Sequence, residues 1–152
     1  MTTPEIVDVP AVPTAVVRGT VPTGELRSFF DRAFSVLPKA VTGQGVAITG
    51  PAFALYRGAP SDVAELEVGF PTDRPITADG DVVPAALPAG RVARVVHAGS
   101  FDGLGDAWRR LGEWVAAQGL HGGEEFREAY LTEPSPDMDP ADLRTELTLP
   151  LR

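Results

Sequence analysis

The most informative absence in this sequence of 152 residues is that of cysteine. Without a thiol the chain can form neither a disulfide nor a thiolate metal site. Histidine is scarce as well: His97 falls in a predicted strand and His121 in a glycine-rich loop, so the pair lacks metal-ligand spacing. Asp137 and Asp139 lie in a polar turn that lacks the rest of a calcium loop. We therefore expect no metal ion and no other cofactor.

Basic side chains are also few. The 13 lysines and arginines, of which only one is a lysine, stand against 21 acids and give a net charge of −8. Because nucleic-acid binding depends on neutralising phosphates, we expect no direct nucleic-acid binding, and the acidity favours a cationic ligand over an anionic one. No apolar run reaches membrane-spanning length, and the chain start shows no signal peptide, so we expect a cytoplasmic protein without membrane association.

Two common catalytic motifs are missing. There is no Gly-x-Ser-x-Gly elbow and no cysteine nucleophile. The glycines of "TGQGVAITG" follow a helix and precede a strand, which is the reverse of a dinucleotide-binding loop, and "GLGDAW" lacks the third glycine. The sequence therefore gives no support for a serine or cysteine hydrolase or for a dinucleotide enzyme.

What the sequence does contain is a weak internal repeat. "VPAVPTAVVRGTVP" in the first half resembles "VPAALPAGRVARVVHAGSF" in the second, and an amphipathic helix followed by two strand-like runs comes after each. This pattern predicts an α+β fold of duplicated βαββ units with pseudo-twofold symmetry, an antiparallel sheet and two main helices. We expect a single domain over residues 1–152, repeats at about 5–72 and 83–152, and a linker at about 73–82.

The predicted helices each carry an apolar stripe at i, i+3, i+4 and i+7 spacing. The stripe residues are Leu26, Phe29, Phe30, Ala33, Phe34 and Leu37 in the first and Leu104, Ala107, Trp108, Leu111 and Val115 in the second. Pro38 and Gly119 are predicted to end them. The paired strand runs that follow are predicted at 45–58 and 63–71, and at 124–134 and 143–151.

A carboxylate between two aromatic rings is the most unusual local feature. In the strand "FREAYLTEP", Phe126, Glu128 and Tyr130 point to one face. Glu128 is either a solvated surface acid or the polar centre of an aromatic pocket, where it would attract a lipophilic cation or act as a general acid or base. Tyr56 occupies the corresponding place in the first half, in a strand that also contains Phe53.

The two tryptophans of the second helix receive different interpretations. Trp108 lies near the centre of the apolar stripe, which predicts a core residue. Trp114 lies at the edge of the stripe, where a large aromatic fits either core packing or the wall of a cleft between the two halves.

The second half resembles the GyrI-like family, the small-molecule-binding domain also found as the effector-binding part of AraC-type and MerR-type regulators. The resemblance rests on "RVARVVHAGSFDGLGDAWRRLGEWVAAQGL", "REAYLTEP" and "RTELTLPL", with looser matches in "GPAFALYRG" and "DVAELEVGFP". The matching positions are Gly99, Phe101, Trp114, Glu128, Tyr130, Leu131, Pro134, Arg144, Thr145, Glu146, Pro150 and Leu151.

The resemblance implies a duplicated, SHS2-like βαββ fold with an aromatic groove around Glu128. The expected ligand is a hydrophobic or cationic aromatic small molecule, and the expected ligand-binding residues are Glu128, Tyr130, Phe126, Trp114, Tyr56, Phe53 and Phe34. Because the first strand is predicted within the first ten residues, we expect a stand-alone domain without a preceding helix-turn-helix.

Three functions remain open for such a domain. The first is binding of hydrophobic or cationic compounds, with detoxification as its outcome. The second is hydrolysis of cyclopropane-bearing DNA-alkylating natural products, with Glu128 and Tyr130 as the catalytic residues. The third is an interaction with a protein partner, either gyrase, as an inhibitor, or a separate regulator.

Overall fold

The computed structural model describes residues 3–58, 61–132 and 137–152. Within these ranges the chain forms one curled antiparallel sheet of eight strands with two main helices, which confirms the predicted α+β class. Two sequence predictions fall partly outside the described residues: Pro134 of the family motif and the end of the strand run predicted at 124–134.

The elements follow the chain in two similar series. The strands are β1 (Glu5–Val9), β2 (Val12–Pro22), β3 (Phe53–Arg57), β4 (Val63–Pro71), β5 (Val82–Leu87), β6 (Gly90–Ala98), β7 (Glu125–Tyr130) and β8 (Arg144–Pro150). The helices are α1 (Leu26–Thr42) and α2 (Leu104–Ala117). Short 3-10 turns precede both helices, at Thr23–Glu25 and Phe101–Gly103, and a third lies at Pro140–Asp142.

Each half opens with two strands where the sequence predicts one. The proline-containing openings of the two halves divide into β1 and β2, and into β5 and β6. Pro84 lies inside β5, which is tolerated because β5 is an edge strand, where an absent N–H breaks no central ladder. The strand predicted from Gly45 is also shorter than expected, since β3 begins only at Phe53 and Ile48 makes an isolated bridge to Thr72.

The sheet order is β1-β6-β8-β7-β3-β4-β2-β5. If β1 to β4 are exchanged for β5 to β8, the same order results, read from the opposite edge of the sheet. The order is therefore compatible with a duplication, which stays a prediction. The two halves meet where β3 pairs with β7, in the middle of the sheet. The first strand of each half pairs with a strand of the other half: β1 pairs with β6, and β5 pairs with β2.

Helix α1 continues past the proline that was predicted to end it. Pro38 cannot donate a backbone hydrogen bond, but Ala40 and Val41 are buried in the core, and the hydroxyl of Thr42 donates to the Pro38 carbonyl at 2.8 Å. Burial of this last turn therefore outweighs the missing bond. Helix α2 ends at Ala117 close to Gly119, whose φ of 76° favours glycine, so the second predicted stop is confirmed.

The sheet has two differently packed faces. On one face α1 packs over β2, β4 and β5, and α2 packs over β6. The central strands β3 and β7 lie between the areas that the two helices cover. On the opposite face Val16, Phe53 and Leu55 form a separate buried cluster with residues of β5 and β7. Among the described residues no helix is both long and apolar enough to cross a membrane.

Candidate functional site

Glu128 lies on the helix-bearing face of β7, in the gap between the two helices. Its register partners are Ala54 on β3 and Leu147 on β8. Only 8% of Glu128 is exposed, so its carboxylate is removed from bulk water. Ala54 is the smallest side chain that a strand neighbour other than glycine could supply, and it leaves room for larger groups above the carboxylate.

Two neutral donors hold the carboxylate. The indole Nε1 of Trp108 donates to Glu128 Oε2 at 2.7 Å, and the hydroxyl of Tyr130 donates to Oε1 at 3.1 Å. Trp108 comes from α2, whereas Tyr130 is two residues along the same strand and therefore shares its face. Each carboxylate oxygen therefore has one hydrogen-bond donor, so neither buried oxygen is left unsatisfied.

The charge of Glu128 has no counterion among the described residues. No lysine or arginine nitrogen in ranges 3–58, 61–132 and 137–152 lies within 4.0 Å of its oxygens. The contrast is Glu67, which is 2% exposed and accepts hydrogen bonds from Arg18 at 2.9 Å and Arg57 at 3.4 Å. The chain therefore neutralises one buried carboxylate internally and leaves the other with an uncompensated negative charge.

Both tyrosines respond to this carboxylate. Burial is the largest cause that raises the pKa of Tyr130 well above its ordinary value, and the negative charge of Glu128 raises it further. Burial likewise raises the pKa of Tyr56, with the same carboxylate as the second cause. Both phenols therefore stay protonated at neutral pH, and Tyr130 remains a hydrogen-bond donor.

Aromatic rings surround the carboxylate on several sides. Phe126 stacks on Tyr56 with ring centres 5.2 Å apart, and Trp108 meets Phe126 edge-on at 4.8 Å. Phe30 and Phe101 both contact Tyr130 edge-on, at 6.4 and 6.0 Å. We call the set around Glu128 the aromatic cluster; its members are Phe30, Phe34, Tyr56, Phe70, Phe101, Trp108, Phe126 and Tyr130.

Helix α1 supplies one wall of the cluster through the outer side of its apolar stripe. Phe29, Ala33 and Leu37 are buried against the sheet, whereas Phe30 and Phe34 are only partly buried and stack on each other with centres 6.0 Å apart. The stripe is therefore wider than core packing needs. Its excess aromatic edge faces the gap between the helices.

Comparison with known families and structures identifies this arrangement. The GyrI-like small molecule binding domain matches residues 2–152. This chain belongs to that family. No curated protein sequence matches it. Among solved structures, the fold is similar to EcmrR in its DNA complex, with a TM-score of 0.86 and 21% identity; the match covers 99% of this chain but 57% of the EcmrR chain. The crystal structure of the EcmrR C-terminal domain matches over 97% of its own length, with a TM-score of 0.85 and 20% identity.

Two further similar structures have different descriptions. A hydrolase from Listeria innocua has a TM-score of 0.69 at 14% identity, with 98% of this chain and 91% of that chain covered. SAV2435 bound to tetraphenylphosphonium also has a TM-score of 0.69, at 10% identity, with 99% and 94% covered. At 14% and 10% identity, the similarity to these two structures shows a shared fold only.

The GyrI-like domain brings together most, but not all, of the residues singled out from its sequence. Glu128, Tyr130, Phe126 and Tyr56 share one face of the central strands, and Phe34 joins them through Phe30. Their roles in binding or catalysis stay predictions.

Two expected groove residues lie elsewhere. Phe53 is 3% exposed in the cluster on the opposite sheet face, because it is three residues before Tyr56 and strand side chains alternate. Trp114 packs with the second-half core beneath α2 rather than against the aromatic cluster. The structure therefore places Phe53 and Trp114 outside the aromatic cluster, and a role for either in ligand binding stays a prediction.

Trp108 has a contact that the sequence interpretation did not predict. Stripe position predicts core packing, and Trp108 does pack against the second-half core. Its N–H, however, reaches Glu128. A usable signal existed, since a partly buried indole needs an acceptor and Glu128 is the one acid on the strand face that it shares with Phe126 and Tyr130. Phe30, Phe70 and Phe101 were also missed as cluster members, because their contacts join distant segments.

Two concave surfaces of the GyrI-like domain lie away from this cluster. One cavity of about 570 Å³ lies beside the C-terminal turns of α2, with Val115, Leu120 and Arg152 in its lining. A smaller one of about 190 Å³ lies beside Arg18 and Arg57. Neither contains a member of the aromatic cluster. Among the described residues no group of three or more histidine, aspartate or glutamate side chains is arranged to hold a metal ion.

Proposed function

We propose that this GyrI-like domain binds hydrophobic, often cationic, aromatic small molecules in the aromatic cluster around Glu128, and that sequestering them detoxifies such compounds. The observation that carries the proposal is the buried carboxylate of Glu128, which has two neutral donors and no counterion among the described residues. A ligand cation would supply the missing positive charge.

The walls of the site suit the same ligand class. Aromatic faces attract cations through their quadrupoles and also bury apolar rings, so one surface serves both the charge and the bulk of a lipophilic cation. The partly buried rings of Phe30, Phe34 and Phe70 extend the cluster away from Glu128. The tetraphenylphosphonium bound to SAV2435, which has the same fold, adds support from a second protein.

The binding proposal is tested by comparing two ligands of similar shape and different charge. Isothermal titration calorimetry would measure the affinity of the purified chain for tetraphenylphosphonium and for neutral triphenylphosphine oxide. We expect the cation to bind at least about tenfold more tightly, a difference of about 1.4 kcal/mol. Equal affinities would refute a site built around an uncompensated carboxylate.

Hydrolysis of strained electrophiles is the second candidate, and the pairing of Glu128 with Tyr130 favours it. Glu128 would accept a proton from the attacking water as the water oxygen bonds to a cyclopropane carbon. The ring carbon–carbon bond breaks, and its electron pair moves to the electron-withdrawing group that activates the ring. Tyr130 would donate a hydrogen bond to the oxygen that receives this electron pair, because its raised pKa keeps the hydroxyl protonated. The proton taken up by Glu128 would then pass to that group, which completes the hydrate and restores the carboxylate.

Product analysis separates these two functions. The chain would be incubated with an excess of a cyclopropane-bearing alkylator, and the ring-opened hydrate measured by mass spectrometry. More than one hydrate per chain, lost in the Glu128→Gln variant, would establish a hydrolase. Protection that stops at one alkylator per chain would establish sequestration.

A further inference from the structure

Phe101 is the outermost ring of the aromatic cluster. It is 42% exposed, whereas Glu128, behind Tyr130, is 8% exposed. Phe101 contacts Tyr130 edge-on at 6.0 Å, and the Tyr130 hydroxyl reaches Glu128 at 3.1 Å. A continuous series of contacts therefore runs from solvent through Phe101 and Tyr130 to the buried carboxylate. Phe101 therefore covers the solvent side of Tyr130.

The turn that carries Phe101 is held by a histidine. The Nε2 of His97, on β6, lies 2.9 Å from the carbonyl oxygen of Ser100, the residue before Phe101. The same oxygen accepts from the backbone N–H of Gly103 at 3.2 Å, which closes the 3-10 turn Phe101–Gly103. One carbonyl thus joins the imidazole to the turn.

The imidazole also packs against the far side of this turn. A Cβ placed on Gly103 would lie 2.9 Å from His97 Cε1, closer than side-chain packing allows. The ring therefore occupies the space that any other residue at position 103 would need. His97 touches the turn immediately before Phe101 through Ser100 and two residues after it through Gly103.

The sheet register explains how this turn reaches the site. His97 pairs with Thr145 on β8, and Thr145 pairs with Tyr130 on β7, so the three form one row on the helix-bearing face. At the usual strand spacing, His97 and Tyr130 are about 10 Å apart. A turn that starts above His97 spans this distance and lays Phe101 against Tyr130. After β6, Gly99 allows the change of direction through its φ of 120°.

From these contacts we infer that His97 is a positioning residue, which holds the Phe101 turn so that Phe101 covers the ligand site. The inference rests on the proposed binding function and adds a residue that does not itself touch the ligand. His97 sets how readily Phe101 moves aside, and Phe101 forms the outer wall against a bound aromatic cation. The affinity for a bulky ligand therefore depends on both residues, and the effect of His97 on that affinity acts only through Phe101.

The first test needs no ligand. Amide hydrogen exchange would be measured at Gly103 in wild type, His97→Ala and His97→Gln. We expect exchange at least about tenfold faster in His97→Ala and largely restored protection in His97→Gln, whose side-chain amide can donate to the same carbonyl. His121→Ala, at the other histidine, is the control. Unchanged exchange in His97→Ala would overturn the inference.

The second test asks whether His97 acts through Phe101. Calorimetric titration with tetraphenylphosphonium would be compared for His97→Ala, Phe101→Ala and the double variant. Each single change should weaken binding about three- to tenfold, as for loss of an aromatic contact, and the double variant no more than Phe101→Ala. Additive losses would overturn the coupling. If His97→Ala does not fold, Gly103→Ala, which displaces the imidazole, takes its place.

The two tests distinguish the inference from the function on which it rests. If wild type binds no cation, the proposed function fails, and the Gly103 exchange still decides whether His97 holds the turn. If wild type binds and Glu128→Gln weakens binding while His97→Ala changes neither quantity, the proposed function stands and the inference fails.

Discussion

Replacing Glu128 by glutamine removes the charge of the site and nearly preserves its shape. The amide oxygen can accept from Trp108 Nε1, and the amide nitrogen can donate to the hydroxyl oxygen of Tyr130, which rotates to accept. Both hydrogen bonds of the buried side chain therefore survive in altered form. We expect the Glu128→Gln variant to fold and to lose affinity selectively for cations.

The expected loss follows from the attraction between two unit charges. With the cation centre about 5 Å from the carboxylate and an effective dielectric constant of about 20, the attraction is about 3 kcal/mol. Desolvation of both charges opposes part of it. We therefore expect tetraphenylphosphonium to bind about 10- to 100-fold more weakly, while neutral triphenylphosphine oxide binds equally well to both chains.

The assay is isothermal titration calorimetry at two salt concentrations, with Glu113→Gln as the matched control. Glu113 lies on the exposed side of α2, where it pairs with Arg109. Each substitution removes one negative charge from a chain whose net charge is −8, so the two variants have the same net charge. A general electrostatic effect would weaken binding in both variants and fade with salt. Equal losses in Glu128→Gln and Glu113→Gln, or none in either, would refute the central role of the buried carboxylate.

Three further predictions follow from the packing. Burial raises the pKa of both Tyr56 and Tyr130 above the unfolded value of about 10. Their contribution to the free energy of unfolding should therefore be fully present below pH 10 and be lost as the pH rises above it. Phenolate absorbance should then appear only with unfolding; earlier appearance would contradict their burial. Trp108→Phe should lower the free energy of unfolding by about 1.5–3 kcal/mol in urea denaturation, since it leaves a buried carboxylate oxygen without its donor; a loss below about 0.5 kcal/mol would contradict this bond. Gly69→Ala should lower the melting temperature sharply, because a Cβ would lie 1.9 Å from the carbonyl oxygen of Ala15. Gly112→Ala, on the open helix surface, should raise it slightly. Similar shifts in the two variants would contradict the close approach of Gly69 to β2.

The sequence alone predicts much of this architecture. Two amphipathic stripes specify α1 and α2, and alternation specifies β4 and β8 nearly to the residue. The strands that it misses, β1 and β5, contain or adjoin prolines. Their pairing depends on which edge of the sheet is free, and local pattern carries no information about that.

The site shows the same division between local and distant information. Alternation along "FREAYLTEP" places Phe126, Glu128 and Tyr130 on one face, and that face is the one the structure shows. Pattern leaves open whether the face is wet or buried. The resemblance to the GyrI-like family favoured burial, and the 8% exposure of Glu128 agrees with it.

What the sequence determined by itself is the set of local periodicities: which side chains share a helix stripe or a strand face, and that one carboxylate stands between two aromatic rings. Only the tertiary structure decided that Trp108 donates to Glu128 and that Phe53 faces away. It also decided that Glu67 has arginine partners while Glu128 has none among the described residues. The physical reason is that counterions and donors come from segments far apart in the chain, and only the packed sheet brings them within hydrogen-bonding distance.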